Sequence, residues 1–110
     1  MRDIKESDWR IFKELRTVAL DRFCRRVLEE VERLNADSAK TYHQRYLAIY
    51  RYTRESDKDL ALAFNDMRRS TAMLQLARIQ HHDLLTAEEF SRFSEEARSA
   101  VEALLAIQRS

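Results

Sequence analysis

The sequence predicts an all-α protein. None of its 110 residues is glycine or proline. Without glycine, left-handed backbone positions fall to residues such as Asn or Asp, so the tight hairpins of β-sheet proteins become costly. Alanine, leucine, arginine and glutamate dominate the chain and 35% of its residues are charged, which is a mixture of good helix formers. The length fits a single domain, 1–110, that buries a core of its own.

Apolar spacing predicts the first helix over residues 7–34. Ser7 and Asp8 are favourable N-cap residues at its start. Apolar side chains then recur every three or four positions, which marks one buried face. This face consists of Phe12, Leu15, Ala19, Phe23, Val27, Val31 and Leu34. Asn35 follows as the expected left-handed C-terminal cap, since no glycine is present to take that position.

Two capping signals divide the next part of the chain. Asp37 or Ser38 is the expected cap of a second helix over 38–54. The S-x-x-D pattern that begins at Ser56 predicts the start of a third helix, over 57–81. Its expected inward face contains Leu60, Phe64, Met67, Thr71, Leu74 and Ala77.

The end of the chain predicts a fourth helix over 87–108. The segment His81-His82-Asp83 is expected to lie at the end of the third helix, where imidazole groups interact well with the last carbonyls. Thr86 and Glu89 then form a T-x-x-E capping box. The apolar face that follows contains Phe90, Phe93, Ala97, Val101 and Leu104.

Four helices joined by short loops predict an antiparallel up-and-down four-helix bundle. At 1.5 Å per residue the first helix is roughly 40 Å long and the second about 25 Å. The shorter helix leaves part of the apolar face of the longer one uncovered, and soluble monomers rarely expose such faces. We therefore expect an elongated bundle that is completed by homodimerisation.

The stretch 40–54 contains all four tyrosines and four cationic residues, with no acidic residue. Tyr42, Tyr46 and Tyr50 share one side of a helix. This side is expected to be one wall of the bundle, with the acidic fourth helix balancing the positive charge. The alternatives are a protein interface, in which Tyr and Arg are enriched, or stacking on single-stranded nucleic acid. The candidate partner-binding residues are Arg22, Arg26, Arg45, Arg51, Tyr52 and Arg54.

No motif in the sequence indicates catalysis, and we expect neither a catalytic residue, a cofactor nor a metal site. A chain without glycine has no phosphate-binding glycine loop and no nucleophile elbow. His81 and His82 lack the Glu-x-x-His spacing of di-iron bundles. The single cysteine, Cys24, excludes an intramolecular disulfide and is expected to be an inert core residue.

These observations together predict a non-catalytic interaction or regulatory module. The net charge of +1 provides no field that would draw nucleic acid or an anionic membrane. The sequence shows no signal peptide and no apolar run of membrane-spanning length, so we expect a cytoplasmic protein. Its expected partners are a second copy and an unidentified protein. The alternative is a small regulator that contacts nucleic-acid phosphates through the same basic surface.

Overall fold

The computed structural model describes residues 4–109, and this part of the chain is all-helical, with 81% of its residues in helices and no strand. The helices are α1 (Glu6–Asn35), α2 (Tyr42–Phe64), α3 (Arg69–His81), α4 (Ala87–Ser91) and α5 (Glu95–Arg109). The molecule measures 51 × 26 × 23 Å along its principal axes, so it is elongated. The most extensive packing pairs α1 with α2 and α3 with α5.

The predicted boundary between the second and third helices is wrong. α2 continues through Ser56 without interruption and ends only at Phe64. Nothing near Ser56 stops the helix, and a Lys58–Glu55 ion pair of 3.1 Å supports this turn. The break falls instead at Asn65 and at Asp66, which has a φ of 60°. Asn and Asp tolerate such left-handed positions better than other residues with a Cβ atom.

The predicted caps before α2 are also wrong. Thr41, and neither Asp37 nor Ser38, caps α2 by accepting a hydrogen bond from the backbone N–H of Gln44, whose side chain accepts in return from Thr41. Asn35 is the last residue of α1 and does not adopt a left-handed conformation. In the described part of the chain the left-handed positions are Asp66 and Asp83.

The predicted fourth helix is divided into α4 and α5. Its capping box at Thr86 is confirmed, because the Thr86 hydroxyl and the Glu89 carboxylate each accept a backbone hydrogen bond from the other residue. Ser94 then begins α5 by accepting a hydrogen bond from the backbone N–H of Ala97 at 3.1 Å. The Asp8 carboxylate, only 2% exposed, accepts from the Ser94 backbone N–H at 2.8 Å and from its hydroxyl at 2.6 Å.

The hydrophobic core lies at one end of the molecule, which we call the base. The predicted face of the first helix is confirmed there at Phe12, Leu15, Ala19 and Phe23. The predicted inward face of the third helix is confirmed at Phe64 and Ala77, which are buried, and is wrong at Met67 and Leu74, which are exposed. Beside Ala77, α3 also buries Ala72, Met73, Leu76 and Ile79.

The other end of the molecule is a two-helix arm, formed by residues 24–35 of α1 and residues 42–62 of α2. No residue of the described range 24–62 is fully buried. Val27 and Leu60, at the end of the arm nearest the base, are partly buried against the core. The arm therefore consists of two helices that pack on each other without enclosing a core.

Arginine side chains bind carbonyl oxygens at the C-terminal ends of four helices. Helix ends leave carbonyls without an intrahelical partner, and a glycine cap is the common way to satisfy them. This chain has no glycine, and guanidinium groups from elsewhere in the fold take that role. Arg45 donates to Asn35, Arg16 to Phe64, Arg26 to His82 and Asp83, and Arg98 to Phe93.

We expect Asp8→Ala to lower the free energy of unfolding by about 2 kcal/mol, because it leaves the partly buried Ser94 donors without their acceptor. Urea denaturation followed by circular dichroism measures this loss. Asp21→Ala, an exposed position on the same helix, is the matched control and should change stability by less than about 0.5 kcal/mol. Equal losses in the two variants would show that the Asp8–Ser94 contact contributes nothing.

The neighbouring arginines Arg25 and Arg26 allow a direct test of the carbonyl contacts. Arg26→Gln removes donors to two carbonyls beyond α3 and should cost about 1 kcal/mol of stability. Arg25→Gln removes only an exposed ion pair with Glu29 and should cost less than about 0.5 kcal/mol. The same denaturation assay compares them, and a larger loss for Arg25→Gln would contradict the capping role.

Candidate protein-docking surface

An apolar groove runs between the two helices where the arm meets the base. It has a volume of about 220 Å³ and is open to solvent. Its lining residues are Phe23, Cys24, Val27 and Leu28 from α1 and Thr53, Ser56, Asp57 and Leu60 from α2. Leu28, 61% exposed, forms part of its outer edge. Asp57 is the only charged residue among these described lining residues.

Three tyrosines continue this surface towards the tip of the arm, and we call them the tyrosine stripe: Tyr42, Tyr46 and Tyr50. Their exposed fractions are 83%, 64% and 53%. Tyr46 and Tyr50 stack with their ring centroids 6.5 Å apart, and the Arg45 guanidinium lies 4.4 Å from the Tyr42 ring centroid. All three rings are mostly exposed to solvent. The expectation that they form a wall of the bundle is therefore wrong for a single chain.

The groove and the tyrosine stripe lie on the same side of α2. With about 100° between successive residues, Tyr42, Tyr46 and Thr53 project within about 40° of one another, and Leu60 falls in the same sector. Leu62 points to the opposite side, into a cleft that it shares with Arg78, His81 and His82. One side of the arm is therefore concave near the base and aromatic near the tip.

The acidic residues of α4 and α5, which form the predicted fourth helix, do not balance the positive charge of α2. The principal packing partners of α2 are α1 and α3. The Glu89 carboxylate binds Arg22 of α1 at 2.6 Å, and Glu96 binds Lys5 at 2.8 Å. The predicted pairing between the second and fourth helices is therefore wrong, because the acidic residues bind the N-terminal segment and α1.

Three of the candidate partner-binding arginines have intramolecular roles. Arg22 binds Glu89 and donates to the Leu84 carbonyl at 2.9 Å. Arg26 donates to carbonyls beyond α3, whereas Arg45 donates to the end of α1 at the tip of the arm. The structure does not bring these three side chains together into one surface.

The other three candidates lie on α2. Tyr52 is half-buried, whereas Arg54 is exposed. Arg51 borders a shallow hollow of about 270 Å³ together with Lys40 and Gln44, on the side of α2 away from the groove. The three side chains therefore face different directions, and Tyr52 and Arg54 lie on opposite flanks of the groove side, each about 100° from Thr53.

Cys24 is half-buried and lines the groove, so the expectation that it is a core residue is wrong.

A second cleft, of about 330 Å³, contains Asp59, Arg78, His81 and His82. Burial lowers the pKa of His82, and its ring packs edge-on against Phe23 at 5.7 Å. Within residues 4–109, no group of three or more His, Cys, Asp or Glu side chains is placed to hold a metal ion.

The Glu89 carboxylate is held by hydrogen bonds from two directions. Hydrogen bonds from the Arg22 guanidinium, supported by the Thr86 backbone N–H, lower the pKa of Glu89 to about 2. The two terminal nitrogens of Arg22, Nη1 and Nη2, donate to the carboxylate at 2.6 and 3.0 Å. Such bidentate pairs fix orientation as well as adding energy, so this pair aligns α4 against α1.

Sequence reasoning missed the groove and the Asp8–Ser94 contact. Ser94 is followed by two glutamates, which is typical of a helix start and would have placed the division between α4 and α5. The groove has no such local signal, since its residues come from positions about 30 apart in the chain. Only the pairing of α1 with α2 brings them together.

No protein-family model, curated protein or solved structure matches this chain. None of the helices in the described range combines the length and the apolar character needed to cross a bilayer.

We expect Glu89→Gln to lower stability by about 1 kcal/mol at neutral pH, a modest value because solvent screens this partly exposed pair. The folded-state pKa of about 2 lies below the ordinary value of 4.5. The wild-type advantage should therefore be complete above about pH 4.5 and should disappear as the pH falls towards 2.

Urea denaturation of both proteins across this pH range measures the difference. Glu88→Gln is the control, because this neighbouring glutamate is exposed and Arg22 donates to Glu89 instead. Glu88→Gln should stay within about 0.5 kcal/mol of wild type at neutral pH. A Glu89→Gln difference that is constant down to pH 2 would contradict the assignment.

Proposed function

We propose that this chain is a non-catalytic interaction module that self-associates through the groove side of its arm. Two arms would pack side by side, so that their four helices form one bundle. The observation that carries the proposal is the arm itself, whose helices expose Leu28 and the tyrosine stripe and enclose no core. Soluble proteins rarely leave so continuous an apolar and aromatic side uncovered unless it binds a partner.

The composition of this side supports a protein partner. Tyrosine and arginine are enriched at the centres of protein interfaces, where the ring supplies a large contact area at low entropic cost. The tyrosine hydroxyls also allow the unassembled chain to expose these rings to water. A symmetric pair of identical chains is the commonest assembly that buries such a surface.

Light scattering on a size-exclusion column tests the proposal. We expect a mass of twice the 13.2 kDa of one chain at micromolar concentration. Leu28→Asp should convert this species to a monomer with unchanged helix content, because it places a charge in the apolar contact. Leu62→Asp is the matched control, since Leu62 is 55% exposed on the opposite side of the arm, and its mass should remain that of the wild type.

A wild-type mass of 13.2 kDa at micromolar concentration would contradict self-association. Loss of the dimer in Leu62→Asp and not in Leu28→Asp would place the contact on the wrong side of the arm. Retention of oligonucleotides at low salt, lost steeply as salt is raised, would favour instead a regulator that contacts nucleic-acid phosphates.

A further inference from the structure

The groove side of the arm has two halves of complementary shape. The half near the base is concave, where Cys24, Leu28 and Leu60 surround a hollow of about 220 Å³. The half near the tip is convex, because the rings of Tyr46 and Tyr50 stand largely exposed above α2. A hollow and a projection on the same side of one helix match a second copy that lies in the reverse direction.

The charges on this side favour the same direction. Asp57 lies in the concave half, whereas Arg54 and His43 flank the tyrosine stripe. None of the ion pairs between described residues includes Arg54 or Asp57. A parallel pair would place Asp57 beside its own copy, and like charges directly opposite each other are destabilising. An antiparallel pair brings Asp57 towards the cationic half of the second chain.

Helix geometry fixes where the two-fold axis must cross. The lining residues of the groove on α2 centre between Ser56 and Asp57, and the exposed pair Tyr46 and Tyr50 centres near residue 48. An axis midway between these centres passes between Tyr52 and Thr53, and of these two residues Thr53 is the one that lines the groove. With Thr53 on the two-fold axis, Tyr46 faces Leu60 of the second copy. Arg54 lies about 7.5 Å from Asp57 of the second copy, measured along the helix axis, and the long arginine side chain can span this distance.

We propose that two copies pack α2 against α2 in antiparallel direction, with Thr53 on the two-fold axis and the tyrosine stripe of each copy seated in the groove of the other. This inference rests on the proposed self-association and adds its direction and register. Each residue contact occurs twice, as two-fold symmetry requires. The arrangement also covers Cys24 in both chains.

Disulfide trapping tests the register in a Cys24→Ala background. Thr53→Cys places two thiols at the axis, and copper phenanthroline should convert most of the protein to a covalent dimer on a non-reducing gel. Glu55→Cys is the matched control, two residues away but rotated by about 160°, and should remain monomeric on the gel. Tyr42→Cys should also fail to crosslink, since its two copies lie about 33 Å apart in this arrangement.

The outcomes separate this register from self-association itself. Efficient crosslinking of Tyr42→Cys would indicate parallel arms and overturn the antiparallel direction. Failure of Thr53→Cys to crosslink, in a variant that still has the dimeric mass by light scattering, would overturn the register and leave self-association intact. A monomeric wild-type protein would overturn both proposals.

The native cysteine provides a test that needs no substitution. If the second copy covers Cys24, its alkylation by iodoacetamide should slow as the dimer forms. At a protein concentration about ten times Kd, about one fifth of the chains are monomeric by mass action, so alkylation should be about fivefold slower than in dilute protein. A rate that is independent of concentration, in protein that light scattering shows to be dimeric, would overturn the seating of the stripe in the groove.

Discussion

The carbonyl oxygens at helix C-terminal ends are the constraint on which this fold depends. A chain without glycine has no residue that turns out of a helix at low cost, and only Asp66 and Asp83 take left-handed positions among the described residues. Guanidinium groups supply the missing donors. Arg16 and Arg26 reach from α1 to carbonyls at the ends of α2 and α3, so the same hydrogen bonds that finish these helices also fix their positions against α1.

This constraint changes how the arginines of the sequence are interpreted. Arg22, Arg26 and Arg45 resemble a basic surface when read along the chain, yet each binds a carbonyl of another segment. A guanidinium that holds an internal carbonyl has fewer donors for a phosphate. The groove side of the arm is more aromatic than cationic, and its composition is closer to that of protein interfaces than to that of phosphate-binding surfaces.

The sequence permitted prediction of those features that depend on one helix alone. The bounds of α1, the capping box at Thr86 and the buried face from Phe12 to Phe23 follow from spacing and local hydrogen bonding. The contacts between helices were not predictable. Asp8 and Ser94 lie 86 positions apart, and no local pattern indicates that they meet. The S-x-x-D pattern at Ser56 predicted a helix start that does not occur. The residues around Ser56 include no glycine or proline to end α2, so the helix continues through the pattern.

The exposure of the tyrosine stripe follows from where α2 ends. In the predicted up-and-down bundle, the second helix ends at residue 54 and the third helix runs back beside it. The helix instead continues for about 15 Å to Phe64, and the chain turns only at Asn65, beside the base. α3 then packs mainly against α5 and leaves the arm with two helices. An amphipathic pattern is the same whether its apolar side is covered by its own chain or by another, so the position of this single break decides that the stripe is exposed within one chain.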